Sequence, residues 1–169
     1  IILLFVLMPL HAANYYVATN GSNSSGNGSS SNPWASVSYA LSVEGVNASG
    51  NLIYVANGTY SESSRWAPAV GLSIRGESET GTIINFTYRA TGGSDAAIYY
   101  YSSSLTNGNQ SLSNMTITGS NLTATKAIWV GYRQNVELHH LTIKDFAAAG
   151  VHLRNQVNWM TPPTTYASG

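Results

Sequence analysis

Two stretches of the chain carry the same alternation of apolar and polar residues. Leu112-Ser-Asn-Met-Thr-Ile-Thr118 is answered 26 residues later by Leu138-His-His-Leu-Thr-Ile-Lys144, and Ala127-Ile-Trp-Val130 is answered 23 residues later by Gly150-Val-His-Leu153. Apolar side chains at every second position read as strands rather than helices. A recurrence of this length is the mark of a solenoid, in which each turn of chain packs only on its neighbours. The alternation points Val136, Leu138, Leu141, Ile143, Val151 and Leu153 inward. Glu137, His139, Lys144, His152 and Arg154 then point outward, and His140 falls at a bend. Parallel strands follow, with Ile117 stacked on Ile143 and Val130 beside Val151.

The pattern upstream predicts further strands at Asn14 to Ala18, Asn51 to Tyr60, Leu72 to Gly76, Thr82 to Phe86 and Ala97 to Tyr101. The Asn57-Gly58 pair reads as the turn closing the second of these. Val37, Ala40 and Leu41 instead fall at helical spacing. They predict a short helix from Ala35 to Val43 that covers the open first turn of the solenoid, with Val37 and Leu41 buried. Ile1 to Leu10 is a ten-residue apolar run, shorter than a bilayer span and suited to the core of a secretory signal. A buried first strand is the alternative. The expected division is a partial signal peptide over 1–13, a strand, loop and capping helix over 14–50, and solenoid turns over 51–169. The chain stops without a polar capping element, so the expectation is a solenoid truncated at its C-terminus, with further turns to follow.

Composition sharpens this picture. Of 169 residues, 43% are apolar and only 8% charged, against roughly a quarter charged in ordinary soluble domains. The net charge is zero, which argues against nucleic acid as a partner. With no cysteine, disulfides and thiolate metal sites are excluded. Sequons begin at Asn20, Asn23, Asn27, Asn47, Asn57, Asn85, Asn109, Asn114 and Asn121. In a chain this rich in Asn, Ser and Thr, composition alone accounts for them.

The segment from Tyr15 to Leu41, with Tyr16-Val17, a Gly/Asn/Ser loop, Pro33-Trp34 and the helix, is followed by Ile53-Tyr-Val55 and Asn57-Gly-Thr-Tyr60. Together they resemble the opening of secreted right-handed parallel β-helix proteins of the pectate-lyase-like superfamily. The resemblance implies an all-β, right-handed parallel β-helix with a short N-terminal capping helix. It implies a monomer that is secreted or held in the cell envelope, with extracellular polysaccharide as partner and no membrane attachment after signal cleavage. Enzymes among such proteins mostly act on acidic polysaccharides, as lyases or glycoside hydrolases. The lyases use a Lys or Arg base and Ca²⁺ held by carboxylates. No active-site motif of the family can be matched here residue by residue. Ca²⁺ takes six to eight oxygen ligands, and Glu44, Glu62, Glu77, Glu79, Asp95, Glu137 and Asp145 are scattered along the chain. Ca²⁺ is therefore expected only if the protein is a lyase, with catalytic residues in turns beyond this sequence. A non-catalytic surface or adhesion β-helix is the competing reading.

Two candidate constellations stand out. Aligning the inward Ile98, Ile128 and Val151 makes Tyr99, Trp129 and His152 outward neighbours on successive turns, with Arg154 on the same face. Aromatic faces suit pyranose rings and the guanidinium suits a uronate carboxylate, so this ladder is the candidate carbohydrate-binding site. The alternative is a ladder covered by Thr87 to Asp95 or by Val157 to Gly169. The second constellation is Glu137, His139, His140, Lys144, Asp145, His152 and Arg154. There Lys144 or Arg154 is the candidate base, Glu137 or Asp145 helps hold a cation, and a solvated wall is the alternative. His139-His140 makes a poor metal pair if strand neighbours diverge to opposite faces, so no metal site is expected.

Overall fold

The computed structural model describes residues 12–89, 95–122 and 126–154. The expected signal core and the 157–169 loop lie outside these residues, as does most of the 87–95 stretch. The chain order is β1 (Asn14–Val17), α1 (Val37–Ser42), β2 (Leu52–Val55), β3 (Gly58–Glu62), β4 (Ser73–Gly76), β5 (Thr82–Phe86), β6 (Ala96–Leu122), β7 (Lys126–Phe146) and β8 (Ala149–Arg154). The strands pair in one curled eight-stranded sheet. Every strand pairing within it is parallel. The architecture is all-β with one six-residue helix, compatible with a β-helix-like solenoid.

Three walls emerge from the register. On the first, Tyr15, Ile53, Ile74, Leu112 and Leu138 form an inward column. On the second, Tyr60, Ile84, Ile117 and Ile143 do the same. On the third, Trp66, Ile98, Ile128 and Val151 are aligned. Between the walls lies the core, in which Ile53, Ile74, Ile84, Ile98, Ile117 and Ile128 are fully buried. Ile117 stacks on Ile143 as the repeat predicts. Val130, however, pairs with Leu153, and Val151 pairs with Ile128. The expected Val130–Val151 neighbourhood is thus displaced by one pleat. Leu153 occupies an inward position yet is 44% exposed, because no described strand pairs with β8 on its far side.

The corners explain why β6 and β7 run so long. Asn109 and Asn114 in β6, and Tyr132, Asn135, His140 and Asp145 in β7, have positive φ. A single left-handed residue turns the strand from one wall to the next without ending it, and Asn tolerates this conformation best among residues with a side chain. The register stacks Asn114 on His140 and Asn109 on Asn135. At the second corner the Asn135 amide donates to Asn107 Oδ1 at 2.8 Å. The predicted single strand Asn51 to Tyr60 divides in the same way. Its halves, β2 and β3, lie on different walls, and Asn57-Gly58 is the corner between them.

The helix begins two residues later than predicted. The Ala35 N–H donates to Asn23 Oδ1 at 2.8 Å, and Ser36 is extended as the N-cap. Val37 and Ala40 are buried, whereas Leu41 packs only half-buried against the core. The carboxylate of Glu62, itself buried, accepts the Val37 N–H at 2.8 Å, the Ser38 N–H at 3.2 Å and the Ser38 hydroxyl. Two otherwise orphaned N–H groups of the first turn are satisfied by the second wall.

A buried cation closes the coil elsewhere. Arg133, 5% exposed, donates to Pro68 O at 2.7 Å, Tyr101 O at 2.5 Å and Ser102 Oγ at 3.2 Å. Burial lowers its pKa, but three neutral oxygens take the place of water around the guanidinium.

Tyr60 makes the fold sensitive to alkali. Its hydroxyl donates to Ala56 O at 2.8 Å, and burial pushes its pKa up to about 12. The folded state therefore holds the phenol proton more tightly than the unfolded chain does, whose Tyr pKa is about 10. Stability from this group is full below pH 10 and is lost as pH rises from about 10 to 12, by roughly 2–3 kcal/mol. Denaturant titrations across this range should show the decline. The gap between wild type and Tyr60→Phe should narrow above pH 10, and a constant gap would contradict the assignment.

Candidate functional site

On the outer face of the third wall the register brings Tyr99, Trp129 and His152 into one column. The Tyr99 and Trp129 ring centroids are 6.1 Å apart. Trp129 and His152 stack at 4.4 Å with their planes 26° apart. Parallel strands repeat at about 4.8 Å, which lets rings on adjacent strands touch. Tyr101 extends the surface sideways. It stacks on Tyr99 at 5.4 Å, meets Tyr132 edge-on at 5.9 Å and is 41% exposed.

Cations surround the column. The Arg65 guanidinium lies 4.7 Å from the Tyr99 centroid, and Lys126 Nζ lies 5.1 Å from that of Trp129. Arg154, in register with Gly131 and two residues beyond His152 on the same face, is exposed. The Tyr99 pKa is raised, first by burial and then by Tyr101, while Arg65 and Arg154 pull against the rise. Arg65 is held by Asp95 at 3.1 Å. The second oxygen of that carboxylate accepts the Tyr88 hydroxyl at 2.6 Å.

The column is packed more tightly than an open platform. Trp129 is only 3% exposed, and its indole N–H has no partner. Tyr99 and His152 cover its faces, and Gly131 leaves room at its edge. A Cβ added at Gly131 would lie 2.6 Å from Trp129 Nε1. What the wall offers to a ligand is therefore the half-buried edges of Tyr99 and His152, the exposed Tyr101 and the Arg154 guanidinium.

The larger polar constellation does not converge. Glu137 and His139 stand on the first wall opposite Ser111 and Ser113, Lys144 on the second opposite Thr118, and His152 and Arg154 on the third. Asp145 sits at a corner, where it accepts the Thr118 hydroxyl at 2.9 Å. Among the described residues no group of three or more His, Asp or Glu is placed to hold a metal ion. The expected divergence of His139 and His140 is overturned. Because His140 is left-handed (φ 51°), the two Nδ1 atoms lie 2.9 Å apart.

A second outward column was missed from sequence. Tyr16, Tyr54 and Arg75 are successive neighbours on the first wall. The tyrosine rings lie 5.8 Å apart, and the Arg75 guanidinium is 5.5 Å from the Tyr54 centroid. Strand alternation in Tyr15-Tyr16-Val17, Ile53-Tyr54-Val55 and Ile74-Arg75 was the available signal.

Comparison with protein-family models, with curated proteins and with solved structures finds no match to the chain. The likeness to the pectate-lyase-like superfamily accordingly rests on the sequence features of the opening and on the parallel architecture.

Proposed function

We propose that this chain is part of a secreted right-handed parallel β-helix protein that binds acidic extracellular polysaccharide along its third wall. The observation that carries the reading is the aromatic column flanked by Arg65, Lys126 and Arg154. A polyanionic glycan matches both features. Ring edges contact the apolar faces of the sugars, and guanidinium groups pair with their carboxylates. In this arrangement Tyr99, His152 and Arg154 touch the ligand, while Trp129 holds the column rigid from beneath. Rigid aromatic surface loses little side-chain entropy on binding.

Binding is favoured over lyase or hydrolase chemistry because several carboxylates have structural partners. Glu62 caps α1, Glu79 accepts from Thr142 at 2.8 Å, Glu77 accepts the Asn57 N–H at 2.8 Å, and Asp95 holds Arg65. A catalytic role for the whole protein would draw on turns outside this sequence, with Ca²⁺ entering there if the chemistry is that of a lyase.

Arg154→Ala and Tyr99→Ala test the site without removing its packing centre. Each is expected to weaken binding to polygalacturonate by roughly tenfold, the value of one lost charge-assisted hydrogen bond or ring contact. Isothermal titration on proteins with matched thermal stability provides the measurement. Unchanged affinity in the double variant would sink the assignment.

A further inference from the structure

We infer that His139 and His140 form a two-nitrogen chelate for a tetragonal divalent cation, copper(II) first and nickel(II) second, at the corner between the first and second walls. The site is separate from the glycan-binding wall and does not depend on it.

Consecutive side chains on a strand normally diverge. Here the left-handed corner swings His140 back beside its neighbour. The two Nδ1 atoms come within 2.9 Å, and the rings stand nearly perpendicular at 84°. The bend itself belongs to the coil and not to histidine. Asn114 takes the same conformation (φ 58°) one turn earlier, in register with His140. What this sequence adds is an imidazole at the corner and another just before it.

The separation is selective. Imidazole nitrogen binds first-row metals at about 2.0–2.1 Å. Two such bonds at a right angle put their nitrogens about 2.9 Å apart, whereas a tetrahedral angle needs about 3.3 Å. The spacing at this corner fits the right angle found in square-planar and octahedral sites, the geometries of Cu(II) and Ni(II). The affinity order for nitrogen sites places Cu(II) ahead of Ni(II).

Access and charge are also compatible. Both histidines are exposed, so an ion arrives from solvent and keeps water in its remaining positions. Among the described residues no third His, Asp or Glu completes the set. In the metal-free pair one Nδ1 proton is shared between the rings. Binding moves protonation to Nε2 on both, leaving two lone pairs for the ion. Arg75 lies in the same outward column as His139, two strand spacings away. That is about 9–10 Å, near one Debye length at 0.1 M salt, so its repulsion is largely screened.

Titration of the intact protein with Cu(II) alone, followed by electron paramagnetic resonance and calorimetry, tests the inference. The wild type should take up one equivalent with an axial signal split by two imidazole nitrogens. His139→Ala and His140→Asn should each weaken that uptake by tenfold or more. Asn is chosen at 140 because Asn114 already holds the equivalent corner, so the fold is kept, and circular dichroism confirms it. His152→Ala, on another wall, should leave the uptake intact. Wild-type Cu(II) affinity in either corner variant, or a signal without paired imidazole nitrogens, would overturn the assignment.

Discussion

Trp129→Ala lowers the unfolding free energy by about 3–5 kcal/mol, the range for removing a large aromatic from a packed site. The indole is 3% exposed, although it stands on the outer face of a strand. Tyr99 and His152 lie against its faces, the Lys126 ammonium lies 5.1 Å from its centroid, and Gly131 leaves space beside Nε1. Removing the ring leaves a hole between two aromatic side chains fixed by the strand register, which cannot collapse without shifting β6 or β8. Trp129→Phe retains much of the area and has no unpartnered indole N–H, so it should cost less than half as much. Urea denaturation monitored by circular dichroism measures both. A loss under about 1 kcal/mol for the alanine variant would mean the ring is not packed, and would restore it as an open sugar platform.

Glu62→Ala is the second large effect, expected at about 3 kcal/mol. The carboxylate is 1% exposed and accepts from Val37 N–H, Ser38 N–H and Ser38 Oγ. Its loss strands two backbone donors at the start of a six-residue helix and removes the link between β3 and α1. So short a helix has little stability of its own. Glu62→Gln separates hydrogen bonding from packing. Its amide oxygen still accepts from Val37, while its NH₂ meets the Ser38 N–H donor to donor, so roughly 2 kcal/mol is expected. Hydrogen exchange at residues 37–42 should rise in both variants. Unchanged protection there would contradict the clamp.

The parts of this structure legible in the sequence are those where the repeat is regular. Between β6 and β7 the turns have nearly equal length, so apolar alternation alone aligned Ile117 with Ile143 and Tyr99 with Trp129. Upstream the same stacking is hidden. Tyr16 and Tyr54 are separated by 38 residues, and Tyr54 and Arg75 by 21. The loop and α1 leave the wall between the first pair and return. Unequal excursions erase periodicity without disturbing strand register, so the first-wall column could be found only by counting pleats strand by strand.

Corners were the other blind spot. Nothing in the Leu138-His-His-Leu141 pattern marks His140 as left-handed, since the preference belongs to the coil and Asn114 meets it one turn earlier. Asn57-Gly58 carried a turn signal, but a turn between walls and a turn between hairpin strands draw on the same residues. Burial of Trp129 was also beyond an alternation argument. Alternation gives the side of the strand, and depth follows from what the neighbouring columns lay over it.

The central claim is that the cation-flanked aromatic wall binds acidic glycan. Its most direct test is the affinity of the intact protein for polygalacturonate beside its fully methyl-esterified, uncharged counterpart, at low and at high salt. The account predicts measurable binding to the acidic polymer that weakens steeply with salt, and little binding to the neutral one. Equal affinity for both polymers, or acidic binding indifferent to salt, would contradict it.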